Sequence, residues 1–160
     1  MPFRGDADRF VRRLKNALYV SMIMTYAQGM ALLKEASAIY GYGLDLESVA
    51  GIWRGGCIIR AALLEDIRTA YKTWPDLPNL IMDQQVSLAI ASRQEDLRTV
   101  VRTAVDLGLP APGLMASLSY LDALQSVWLP DNLIQAQRDY FGAHTYERTD
   151  SQGVFHTVWS

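Results

Sequence analysis

Cysteine and lysine are scarce in this chain. Cys57 is the single cysteine among 160 residues, which excludes an internal disulfide framework and a multi-cysteine zinc site and points to a reducing compartment. Lysine occurs only at positions 15, 34 and 72, against twelve arginines. The balance of 15 basic and 17 acidic residues gives a net charge of −2 and no global electrostatic case for nucleic acid. No apolar core follows the charges of the first eight residues, so a signal peptide is not expected there. The longest uncharged stretch, the 18 residues between Lys15 and Lys34, carries Asn16, Ser21, Thr25 and Gln28 with the hydroxyls of Tyr19 and Tyr26. Those groups would need partners in hydrocarbon, so the stretch reads as a helix buried in a bundle or dimer and not as a membrane span. Sustained period-2 alternation and Asn-Gly or Asp-Gly turns are also missing, which argues against a strand-built fold.

What is present is helical. Half of the residues are hydrophobic and a fifth charged, which excludes disorder, and this length suits one domain. Val11, Leu14, Leu18, Met22, Tyr26, Met30 and Leu33 recur every three or four residues and predict one face of a long first helix ending near Tyr40, where Gly41 and Gly43 give stop signals. Asp45 is the expected N-cap of a short helix through Trp53, broken by Gly55-Gly56. A helix from Cys57 to Tyr71 follows, then a turn at Trp74-Pro75-Asp76-Leu77-Pro78. Further helices are expected over about 84–92, 94–107, 114–127 and 132–140, the last with Pro130 near its start. The whole is an all-α multi-helix bundle: a linker over 1–9, a helical domain over 10–141 and an extended tail over 142–160. The tail ends on Val154-Phe155-His156-Thr157-Val158-Trp159, an aromatic run that needs a surface to dock on.

An independent catalytic apparatus is absent from the motifs. Gly41-Tyr42-Gly43 follows a helix, not a strand, so it fails as a dinucleotide fingerprint, and no Walker loop, His-Glu-x-x-His or Gly-x-Ser-x-Gly occurs. Cys57 lies among apolar neighbours and reads as a small buried hydrophobe. Arg54 and Arg60 bracket the glycine pair. They are read chiefly as a surface cation and a partly buried arginine paired with a carboxylate, with an anion at a helix N-terminus as the other reading. His144 and His156, with no cysteine near, make a weak metal site. Arg138 and His144 are six residues apart across the expected end of the last helix. Spacing alone allows either an anion clamp or a helix-surface cation beside a capped loop histidine.

Three longer stretches narrow this. Leu129-Pro130-Asp131-Asn132-Leu133-Ile134-Gln135-Ala136-Gln137-Arg138-Asp139-Tyr140-Phe141-Gly142-Ala143-His144-Thr145-Tyr146 closely resembles the signature near the C-terminus of decarboxylating 6-phosphogluconate dehydrogenases. Trp53-Arg54-Gly55-Gly56-Cys57-Ile58-Ile59-Arg60 and Tyr26-Ala27-Gln28-Gly29 are similar to two more signatures of that family, and the terminal run from Gly153 to Trp159 matches as well. The resemblance implies a homodimeric, cytoplasmic enzyme of the pentose phosphate pathway that oxidises 6-phosphogluconate with NADP and decarboxylates it to ribulose 5-phosphate. It further implies an all-helical C-terminal domain whose tail crosses into the partner subunit, with Arg138 and His144 contacting the substrate bound there. The family's cofactor glycines and its catalytic lysine-and-glutamate segment have no counterpart here. The chain is therefore expected to be the C-terminal part of such an enzyme, binding no NADP itself and inactive alone. A free-standing helical assembly module without catalysis is the alternative.

Overall fold

The computed structural model describes residue 3 and residues 5–159. Met1, Pro2 and Arg4 of the expected linker, and Ser160, lie outside the described residues. Asp6 accepts a hydrogen bond from the Arg9 amide (3.0 Å) and caps α1, Ala7–Tyr40, so the helix takes up the last residues of the stretch expected as a linker. Gly41, at φ 67°, ends it in a left-handed cap. Asp45 accepts from the amides of Glu47 and Ser48, both at 3.2 Å, and opens α2, Leu46–Gly56.

The expected helix from Cys57 does not form; α3 starts only at Leu63 and runs to Thr73. Cys57 is already extended, and the Tyr26 hydroxyl donates to the Ile59 carbonyl. That bond satisfies in an irregular segment a group a helix would have used. A 3-10 turn over Leu80–Met82 then leads to α4, Gln84–Ala91, α5, Gln94–Asp106, and α6, Pro112–Gln125. The Lys34 ammonium donates to the carbonyls of Asp76 (2.6 Å) and Leu77 (3.3 Å), tying α1 to the Trp74–Pro78 turn.

Two compact units divide the chain, Met1–Leu121 and Asp122–Ser160. In the first, α1 packs along α5 and α2 along α3. The core gathers Val20, Ile23, Met24, Ala27 and Met30 with Leu64, Ile67, Leu97, Val100 and Leu121, each large side chain contributing about 1.5–3 kcal/mol on burial. Asp96 joins α5 to α1, accepting from the Asn16 amide (2.7 Å) and facing Arg13 (3.4 Å).

The expected α1 stripe holds in its second half, where Tyr26 and Met30 are buried and Met22 and Leu33 pack against the core, and fails in its first. Val11, Leu14 and Leu18 are exposed, whereas Ala17, Val20, Ile23 and Ala27 are buried. The middle of α1 is apolar nearly all round, so its periodicity does not single out one face.

The second unit holds α7, Asp131–Gly142, and a small antiparallel pair, β1 (Tyr146–Glu147) and β2 (Val154–Phe155), with Tyr146 opposite Phe155. The hairpin was not expected from the sequence. Two-residue strands are too short for alternation to register. The fold is all-α apart from this pair.

Candidate functional site

Chain and side chain meet at the end of α7. Arg138 is exposed near the C-terminal end of α7 while its neighbour Asp139 is wholly buried. The helix closes on Ala143 at φ 49°, its amide bonded to the Asp139 carbonyl (2.8 Å). Thr145 is also left-handed, at φ 62°. Neither is glycine, and each such residue costs about 1–2 kcal/mol, so His144 stands between two backbone positions that the surroundings must hold.

The Asp139 carboxylate supplies part of that hold. Its Oδ1 accepts from the Thr145 amide (3.0 Å) and contacts His156 Nδ1 (2.9 Å). Its Oδ2 accepts from the Thr157 amide (2.9 Å) and the Trp159 indole (3.0 Å). Burial pushes this carboxyl up, but the His156, Thr157 and Trp159 hydrogen bonds outweigh it and bring the pKa to about 2, because each favours the charged form. Trp159 meets the Tyr140 ring edge-on, with centroids 5.6 Å apart, and the Tyr146 and Thr157 hydroxyls bond at 2.8 Å.

The two residues singled out by sequence sit on this scaffold. Arg138 donates from Nη1 to Gln135 Oε1 (3.2 Å), and the Gln135 amide nitrogen donates to the Thr145 carbonyl. One glutamine side chain thus links the arginine to the residue after His144. Arg138 and His144 are both exposed, leaving donors free to meet a ligand. Neither lines the cavity of about 520 Å³ between α7 and the tail, which is walled by Trp128, Asn132, Tyr146 and Trp159 among others.

The remaining candidates separate. Arg54 is exposed and pairs with Glu65 (3.2 Å). Arg60 is not the buried, paired residue expected. It is exposed, has no ion pair among the described residues, and borders an apolar cavity of about 870 Å³ lined by Leu18, Met22, Tyr26 and Trp53. The helical face that would have buried it never forms. Cys57 is a free, half-buried thiol. His156 is engaged by Asp139, and no cluster of three His, Cys, Asp or Glu suited to a metal occurs among the described residues.

The described residues form no dinucleotide fold. Gly41 serves as the α1 cap, and the described strands make only a two-residue antiparallel pair, not the parallel sheet a nucleotide sits across. No helix among the described residues is long and apolar enough to cross a membrane. Sequence reasoning missed Asp139 and Gln135 as organisers, since their partners lie up to 20 residues away in the tail.

Fold and site together define a helical domain ending in a tail-clamped helix that presents a cation and a histidine. A family model described as "6-phosphogluconate dehydrogenase, C-terminal domain" matches residues 2–159, and the chain belongs to that family. It is 51% identical over 158 residues to the decarboxylating 6-phosphogluconate dehydrogenase of Synechococcus elongatus, covering 99% of this chain and 34% of that protein. The corresponding Staphylococcus aureus enzyme is 49% identical over 157 residues, 98% of this chain and 34% of the relative. Among solved structures, 6-phosphogluconate dehydrogenase from Plasmodium falciparum superposes with a TM-score of 0.91 at 45% identity, covering 99% of this chain and 34% of that one. That protein is described in its apo form, with its cofactor NADP+ and with its substrate 6-phosphogluconate. The chain therefore spans about a third of the length of the relatives it matches.

Proposed function

We propose that this chain is the C-terminal third of a cytoplasmic, NADP-dependent, decarboxylating 6-phosphogluconate dehydrogenase, and that it forms the homodimer and completes the partner subunit's substrate site. The observation that carries the reading is the match over nearly the whole chain, at 51% identity, to an enzyme of that activity. In this reading NADP is held by a portion of the enzyme outside this chain, a placement supported by the lack of a dinucleotide fingerprint in the sequence. In the complete enzyme, the helical domain over 10–141 carries dimerisation and the tail from 142 onward reaches across, with Arg138 and His144 at the phosphate end of 6-phosphogluconate. A guanidinium offers two parallel donors to a dianionic phosphate, and an imidazole adds a third.

Exposed apolar side chains support the pairing. Val127 (91% exposed), Phe141 (77%) and Val158 (90%) stand out in the second unit alone, and such surface is normally covered by a partner. The test is NADP+ reduction by the complete enzyme. Arg138→Ala is expected to raise KM for 6-phosphogluconate roughly tenfold to a hundredfold, the equivalent of a charge-assisted bond of about 1.5–3 kcal/mol. An unchanged KM contradicts the role. The pure 160-residue chain is expected to show no turnover, and turnover by it would overturn the reading that the chemistry lies elsewhere.

A further inference from the structure

The geometry points to Asp139 as the positioning residue that makes the substrate-contacting pair of α7 depend on a docked C-terminal tail. This inference rests on the proposed role of Arg138 and His144. One oxygen of the carboxylate holds the amide of Thr145 and the His156 ring, the other holds the Thr157 amide and the Trp159 indole. A single buried group therefore fixes both the loop carrying His144 and the last described residues of the chain. Gln135 closes the circuit, accepting from Arg138 and donating to the Thr145 carbonyl.

The loop needs such a hold. His144 is flanked by left-handed Ala143 and Thr145, conformations that persist only where surrounding bonds over-determine them. Two of the anchors of Thr145, its amide and its carbonyl, go to Asp139 and Gln135. If the tail leaves, Asp139 becomes a buried carboxylate with three of its four donors gone. It must then rehydrate, and the loop opens with it. Asp139 and the tail thus act on substrate through Arg138 and His144 and not by touching it. Tail docking and site completeness become one equilibrium.

The test compares variants in the complete enzyme. Asp139→Asn keeps the size but puts an amide NH2, a donor, where one of the two accepting oxygens stands. It is expected to raise KM for 6-phosphogluconate about fivefold or more, leaving KM for NADP+ and kcat within about twofold. Trp159→Phe keeps an aromatic ring on Tyr140 and removes one donor, and is expected to raise the same KM about twofold. In the 160-residue chain, the Trp159 indole N–H resonance, assigned by its loss in Trp159→Phe, is expected to shift upfield in Asp139→Asn. If Arg138→Ala raises KM for 6-phosphogluconate while Asp139→Asn leaves it unchanged, the clamp is wrong and the site assignment stands. If Arg138→Ala has no effect, the site assignment fails first and the clamp with it. If Asp139→Asn yields no folded enzyme, Trp159→Phe decides, and an unchanged KM for 6-phosphogluconate in that variant overturns the inference.

Discussion

Asp139 lies at the C-terminal end of α7, where the unpaired helix carbonyls create negative potential and a carboxylate is unfavourable unless donors surround it. Four donors do, three of them from the last four described residues of the tail. The charge state follows with a definite sign. The folded-state pKa lies at about 2, below the ordinary 3.8, so the stabilisation is complete above about pH 4 and is lost as pH falls through about 2. Trp159 emission or its indole resonance, followed from pH 8 downward, should report tail release in that acidic window. Release centred near neutral pH would contradict the assignment. Ser21 makes the opposite case. Its hydroxyl is buried, 7% exposed as a residue, and has no hydrogen-bond partner. Ser21→Ala should leave the fold intact and raise stability by about 1 kcal/mol in urea unfolding, since an unmet buried hydroxyl costs about 1–3 kcal/mol. A loss of 1 kcal/mol or more would show that the hydroxyl has a partner in solution.

At the scale of elements, most of the helix pattern was legible because the punctuation is chemical. Asp45 and Gly41 announce ends through their side-chain acceptor and absent Cβ, and both act so here. Gly41→Ala places a Cβ in a left-handed cap and should cost about 1 kcal/mol with no other effect, measurable by thermal or urea unfolding. Ile23→Ala on α1, wholly buried, should cost about 2–5 kcal/mol. Val11→Ala, at a stripe position that the fold leaves exposed, should fall within about 0.5 kcal/mol. Reversed magnitudes would contradict the burial of Ile23 and the exposure of Val11. Two features escaped the sequence for physical reasons. The first turns of α1 carry apolar residues at helical spacing, yet Val11, Leu14 and Leu18 stay exposed. The Cys57–Ala62 segment has helical spacing, yet a single long-range bond from Tyr26 to Ile59 draws it out of a helix. Arg138 and His144 were found through a resemblance, whereas the buried aspartate that links their loop to the tail depends on contacts no local pattern encodes.

The chain corresponds to about a third of each relative, and it belongs to the helical C-terminal domain of a dehydrogenase family. The contribution proposed for it is assembly and a pair of substrate contacts, offered from a unit in which α7 and the tail are bonded together. The proposed dimer should sediment as such at micromolar concentration, and a monomer there would count against it. The most direct measurement is subunit mixing in the complete enzyme. Dimers carrying Arg138→Ala are reassorted with dimers inactivated in the portion outside this chain, and NADP+ reduction is read at a 6-phosphogluconate concentration well below the variant's KM. If α7 and the tail complete the partner's site, half of the reassorted dimers hold one intact site, and two nearly inactive parents should recover about a quarter of wild-type activity. No recovery after confirmed subunit exchange would contradict the assignment of Arg138 to the partner's substrate.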